Sequence, residues 1–331
     1  MRSDEFVEID LELLRIDTIL GFDLYLAGPN GHILYRSRNV PFNERVRQNL
    51  ISHGVKSLFM PGSDMNKFAS YIENNLSNIV TDPKIKTEVK CQILYETSIN
   101  IAKELLFDPG SLTAVKRSTK IVENMVDLYL KDEGGIKKII ELMPEDYQLY
   151  THSTNVSILS VALGKSLGIL SKNELYELGL GALLHDIGKS KIPRQILTKP
   201  GPLSPDEFNE VKQHVRYGCY MVENNPVVPR QAIQAIQGHH ERLSGKGYPD
   251  GNRAGDIPLY GMITGVADSF DAMTSNRVYQ KAMTSFKAMD ILLSETQHYD
   301  RKIVMEMLNL LGPEKTKQPP PITPSEVKLI I

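Results

Sequence analysis

The chain has no tryptophan, two cysteines in 331 residues, almost no net charge and no long apolar run. The missing tryptophan decides nothing. Cys91 and Cys219 lie far apart without CxxC spacing. They read as buried small hydrophobes of a reducing, cytoplasmic compartment. No apolar stretch approaches the ~20 residues that span a bilayer, and Met1-Arg2-Ser3-Asp4-Glu5 does not open a signal peptide. A membrane span is therefore not expected. A net charge of −2 gives no general attraction for polyanions. DNA is not an expected partner, and any nucleotide-like ligand has to be held locally.

What is present points to a mainly α protein. The length suggests about two domains, and a hydrophobic fraction of 41% suits ordinary cores. Residues 1–62 read as a small α+β regulatory or adaptor module. Alternating segments at Phe6–Ile9, Phe22–Leu26 and His32–Tyr35 predict strands, as does Ser57–Met60, and Asn43 is placed to cap a helix over Glu44–His53. Residues 63–142 repeat apolar positions at helical period and read as a helical connecting region; one amphipathic face there is a candidate homodimer surface. Residues 143–315 predict an all-α bundle. Residues 316–331, after Gly312-Pro313 and with Pro319-Pro320-Pro321, predict an extended tail.

The bundle carries the chemistry. Five of the eight histidines, His152, His185, His214, His239 and His240, fall in one stretch. His152 heads a stripe with Val156, Leu159 and Leu163 on a helix expected over Glu145–Leu167. His185-Asp186 closes a helix over Asn173–Asp186, where Gly188 offers a helix-ending position and Lys189 a point charge. His214 lies on a helix over Pro205–Glu223, and His239-His240 ends one over Arg230–His240. Asp268 lies on a helix over Asp256–Thr274, among small residues Gly261, Gly265 and Ala272 that allow close approach. Five helices thus each offer nitrogen or carboxylate ligands on inward faces, as bundles do when they build dinuclear sites. The donor count exceeds one tetrahedral zinc and suits two octahedral-leaning ions such as iron or manganese. Scattered polar core residues are the alternative, at a cost of ~1–3 kcal/mol per unsatisfied group. The loop from Arg242 to Gly251 adds three glycines, Lys246, Tyr248 and Pro249, a setting in which Tyr248 can stack on a base or sugar. Arg277, past Asp268, could fork a phosphate. Asp271 reads as a helix-end contact, a support for a ligand or a salt-bridge partner of Arg277. His298 is expected to be exposed.

Taken in order, His152, His185-Asp186-Ile187-Gly188-Lys189, His214, His239-His240-Glu241, Gly247-Tyr248-Pro249, Asp268 and Arg277 resemble the bacterial HD-GYP domain, a branch of the HD phosphohydrolases. The resemblance covers roughly residues 145–300. It implies an HD-type helical bundle and a cyclic di-GMP phosphodiesterase acting at two divalent metal ions, commonly iron, with manganese as the alternative. Carried over by position, it implies His152, His185, Asp186, His214, His239, His240 and Asp268 as metal ligands. Asp186 would bridge, Lys189 would meet the phosphate, and Tyr248 and Arg277 would contact the ligand. Two positions depart from the pattern. Gln148 stands where members with a third metal have Glu, so two ions are expected. Ser244 stands where the loop usually has Asp, which would loosen it or change its ligand preference. The competing expectation is a weakly active or inactive module that binds cyclic di-GMP, or that docks a signalling partner through the Gly-Tyr-Pro loop.

Overall fold

The computed structural model describes residues 5–144, 148–276 and 281–312, with Glu133 described in its backbone alone. Four antiparallel strands open the chain: β1 Phe6–Asp10, β2 Leu24–Gly28, β3 Gly31–Arg36 and β4 Ser57–Pro61. Their spatial order is β1-β4-β2-β3, with Val7 opposite Met60 and Tyr25 opposite Phe59. Helix α1, Glu44–Ser52, is inserted before β4, and the Asn43 side chain accepts from Val46 N at its start. Leu58 and Met60 alternate inward along β4, the period-2 pattern of a half-buried strand.

Thirteen further α-helices follow among the described residues. They are α2 Met65–Thr81, α3 Thr87–Phe107, α4 Leu112–Lys131, α5 Glu133–Glu141, α6 Leu149–Ser166, α7 Lys172–Leu184, α8 Arg194–Leu197, α9 Pro205–Lys212, α10 His214–Val222, α11 Arg230–Gly238, α12 Leu259–Thr274, α13 Ser285–Ser294 and α14 Arg301–Leu311. None of the helices among the described residues is long and apolar enough to cross a membrane. The chain is mainly α, as expected. Two cores hold it. One joins the sheet to Tyr71, Ile72 and Ile79 of α2. The other runs continuously from Leu94 and Ile101 of α3 through α6, α7, α11 and α12 to Met307 of α14. The residues between the sheet and the bundle are therefore divided between the two cores. Cys91 is buried and Cys219 half-buried, and burial pushes both thiols up to about 11.

Helix α6 differs from the single stripe its sequence suggests. Every residue from Thr151 to Gly164 is buried, because α3, α5, α7, α12 and α14 surround it. A helix enclosed on all sides has no solvent face. Most of its hydroxyls and its amide find partners inside the protein, as in Ser157 Oγ donating to Gly179 O at 2.7 Å, whereas Ser160 Oγ is buried without one. The helix expected over Pro205–Glu223 is broken at Gln213 into α9 and α10.

Gly188 also plays a different part. It lies in a 3-10 turn, Ile187–Lys191, where a Cβ would sit 1.9 Å from His214 O and 2.5 Å from Gly218 N. What it supplies is close contact of that turn with α10. Gly188→Ala is expected to destabilise the fold by roughly 3 kcal/mol, the upper range for overpacking a tight contact; thermal denaturation beside wild type checks this.

Candidate metal centre

Three of the histidines stand at or within two residues of helix C-terminal ends, and His214 also opens α10. His185 comes after α7, His214 just after α9, and His239 after α11. The last carbonyls of a helix have no partner within it. Each imidazole uses one: His185 Nδ1 with Ala182 O, His214 Nδ1 with Val211 O and His239 Nδ1 with Ile236 O, all at 2.7 Å. A carbonyl can only accept, so Nδ1 carries the proton and Nε2 is left as the electron-pair donor. His152 reaches the same state by another route. Its Nδ1 lies 2.6 Å from Asp271 Oδ2, so Asp271 supports His152.

The Nε2 atoms converge on Asp186. His214 Nε2 is 3.3 Å from Asp186 Oδ1, while His185 Nε2 and His152 Nε2 are 3.3 and 3.7 Å from Oδ2. Asp268 Oδ1 lies 3.2 Å from His152 Nε2, and its Oδ2 lies 3.8 Å from His240 Nδ1. Two ligand groups result: Asp186, His214, His239 and His240 in one, His152, His185 and Asp268 in the other. Asp186 presents one oxygen to each. All seven expected ligands are thus brought together. Gly261 and Gly265 permit it, since a Cβ on them would lie 2.7 Å from Gly238 Cα and 2.6 Å from His239 O.

The electrostatics favour a cation. His185 Nε2 and Asp186 Oδ1 are buried with no hydrogen-bond partner, which costs ~1–3 kcal/mol each if nothing occupies the space between them. Burial raises Asp186, but Lys189, His185 and His214 outweigh it and hold the carboxyl well below its usual range. Asp268 is held low in the same way, with His152 and His240 opposing burial. Burial also pushes His214, His239 and His240 down. Ionised carboxylates and neutral imidazoles are the forms that bind metal. This donor set, nitrogen and oxygen without thiolate, could hold divalent metal ions. Lys189 Nζ ion-pairs Asp186 Oδ2 at 2.5 Å.

The loop after His240 closes one side. Tyr248 N donates to His240 O, and the Tyr248 ring leans on the His240 ring with centroids 4.5 Å apart. Burial, with Asp268 and Asp186 nearby, pushes the Tyr248 hydroxyl strongly up, so it stays protonated. Gly247 is required here, because a Cβ would lie 2.5 Å from three backbone atoms of His240, Glu241 and Arg242. Buried Glu241 accepts from Asp250 N and Gly251 N. Ser244 does not leave the loop loose: its Oγ is 2.9 Å from His298 Nδ1, and Leu243 N donates to His298 O. His298 is accordingly half-buried rather than exposed. Lys246 lines a cavity of about 220 Å³ beside His240 and Tyr248, together with Phe208, Lys212 and Arg242. Arg277 and residues 316–331 lie outside the described residues, as do the first residues of the helix expected from Glu145; Gln148 stands exposed at the head of α6.

Four contributors escape sequence reading. Phe208 and Lys212 look like ordinary α9 residues, and Phe208 is 47% exposed. Asn155 and Tyr95 stand behind Asp271. Asn155 Nδ2 donates to Asp271 Oδ1 and Tyr95 OH to Asn155 Oδ1, both at 2.8 Å.

Comparison with known proteins gives the family. The sequence model of the HD domain matches residues 136–303. A cyclic di-GMP phosphodiesterase of Pseudomonas aeruginosa is 30% identical over 203 residues, 61% of this chain and 49% of that protein. One from Thermotoga maritima is 40% identical over 177 residues, 51% of this chain and 48% of that protein. The chain thus spans about half the length of these relatives. The solved structure of Bd1817, an HD-GYP-type protein from Bdellovibrio bacteriovorus, shares the fold with a TM-score of 0.64 at 21% identity, over 93% of this chain and 99% of that one. The chain belongs to the HD domain family, and its Gly247-Tyr248-Pro249 loop beside the paired histidines makes it an HD-GYP domain protein.

Proposed function

We propose that the chain hydrolyses cyclic di-GMP to the linear dinucleotide, and onward to GMP after a second cut, in bacterial second-messenger signalling. One observation carries the reading: Asp186 turns one oxygen to His214 and the other to His152 and His185. That is the posture of a carboxylate between two cations. His152, His185 and Asp268 would hold one ion and His214, His239 and His240 the other, with Asp186 shared. Iron is the ion we favour, with manganese next. When bound, such a pair supplies Lewis acidity and lowers the pKa of water. Lys189, already inside the centre, would neutralise charge developing on a phosphoryl oxygen. Tyr248 would orient the ligand at the mouth, with Lys246 as a second cation and Arg277 as a further phosphate contact. In the reaction, water oxygen bonds to phosphorus, the bond from phosphorus to a ribose 3′ oxygen breaks, and that oxygen leaves protonated. Residues 1–62 would regulate the bundle in a cytoplasmic protein, with the region up to 142 connecting them and offering a homodimer face.

The Phe208 ring stands near Tyr248, with centroids 6.2 Å apart at 83°, and Lys212 Nζ lies over it at 5.1 Å. An exposed ring beside cations suits one nucleobase and its phosphate. Phe208→Ala is expected to raise KM for cyclic di-GMP roughly tenfold, from the ~1–3 kcal/mol of base stacking, with little change in kcat. Steady-state kinetics on both proteins checks it.

The function itself is tested by assaying cyclic di-GMP turnover with added Fe(II) or Mn(II), beside a binding measurement. Linear dinucleotide formed over many turnovers supports the enzyme. Tight binding with no turnover under either metal would favour the binding or partner-docking alternative.

A further inference from the structure

We infer that Tyr95, on a helix that precedes the HD domain, is a positioning residue for one half of the metal centre. The inference rests on the metal-centre reading above. A line of four buried side chains connects them. Tyr95 OH donates to Asn155 Oδ1, Asn155 Nδ2 donates to Asp271 Oδ1, and His152 Nδ1 donates to Asp271 Oδ2, at 2.8, 2.8 and 2.6 Å. Tyr95 is 6% exposed, Asn155 2%, Asp271 4% and His152 1%; Asn155 and Asp271 also border a cavity of about 320 Å³.

Each link has one sensible direction. An ionised carboxylate accepts only, so Asn155 must turn its NH₂ toward Asp271. Its carbonyl end then faces α3 and needs a donor, which is the Tyr95 hydroxyl. With Asp271 held by Asn155 on one oxygen, the other oxygen is fixed against His152. That fixes the tautomer and ring angle of His152 and raises the basicity of its Nε2. Without the hydroxyl, Asn155 Oδ1 is a buried acceptor with no donor, and the amide gains by rotating away from Asp271.

The arrangement is one-sided. His185, His214 and His239 are oriented by backbone carbonyls at helix ends. Of these four, His152 is the one oriented by a relay of side chains among the described residues, and that relay leaves the stretch matched by the HD domain, which starts at residue 136. Helix α3 also packs against the turn carrying Lys189. The segment before the HD domain is thereby part of the centre, and it acts on the ion nearest His152, His185 and Asp268.

The experiment is a Mn(II) titration of the full chain, by calorimetry with a competing chelator, on wild type, Tyr95→Phe, Asn155→Ala and the double variant. Wild type is expected to bind two ions. Tyr95→Phe is expected to weaken one of them about tenfold, the low end for lost outer contacts of a ligand, and to leave the other unchanged. Asn155→Ala is expected to do the same, and the double variant no more than either, because the residues act in one line. If Phe at 95 prevents folding, Asn155→Ala reads the same line. Two unchanged affinities in Tyr95→Phe, even with a lower Tm, would overturn the inference, as would equal weakening of both ions. A wild type that binds no ion would instead remove the metal-centre reading beneath it.

Discussion

Asp186→Ala is expected to lose cyclic di-GMP hydrolysis by at least about 10³-fold, the scale on which removing a preorganised electrostatic group acts, and to bind fewer than two ions. The variant removes the carboxylate that turns one oxygen to His214 and the other to His152 and His185. It also strips Lys189 of the carboxylate it pairs with and leaves His152, His185 and His214 facing an empty centre. Two ions share this ligand, so both should weaken, in contrast to the one-sided loss expected at Tyr95. Product formation followed by chromatography, with elemental analysis on the same samples, gives both numbers. Full metal content with full activity would mean that the carboxylate does not bridge.

Removing metal from the loaded protein is expected to lower Tm by on the order of 10 °C. An ion present at 100 times its Kd contributes about 2.7 kcal/mol, so two contribute about 5 kcal/mol; in a chain of this size each kcal/mol moves Tm by a few degrees. The stripped centre is then acid-sensitive. Burial lowers His214, His239 and His240 in the folded chain, so the unfolded chain binds protons first. Stability is then fully present above the unfolded imidazole value, about 6.5, and falls as pH drops below it toward the folded values. Asp186 and Asp268 act in the same direction at lower pH, since both are held below their usual range. Thermal melts with and without chelator at pH 8, 6.5 and 5.5 test both statements: the chelator gap at pH 8, and the acid loss in the stripped protein.

The residues of this centre were legible as a set because each lies on a predicted helix at an inward position, and few sequences bury so many imidazoles without purpose. The strands of the N-terminal sheet were legible from alternation, and the close approach at Gly261 and Gly265 from the run of small residues. How the imidazoles are aimed was not. That depends on each imidazole taking the carbonyl three residues back; helices ending at His185 and His239 were expected, but the break before His214 was not, and helical periodicity carries no information on such hydrogen bonds. Gly188 misled for a similar reason: its contact is with α10, some thirty residues on, and not with its own helix. Asn155 and Tyr95 escaped because their partners are 116 and 60 residues away. His298 and Ser244 hold each other across the loop, so a substitution that reads as a loss in one segment is compensated from another.

The central claim is that Asp186 sits between two cations. Anomalous diffraction at the iron edge, from crystals grown with anaerobically loaded protein, tests it most directly. The account predicts two peaks, one beside His152, His185 and Asp268 and the other beside His214, His239 and His240, with the Asp186 carboxylate between them. A single peak, or none within reach of Asp186, would contradict it.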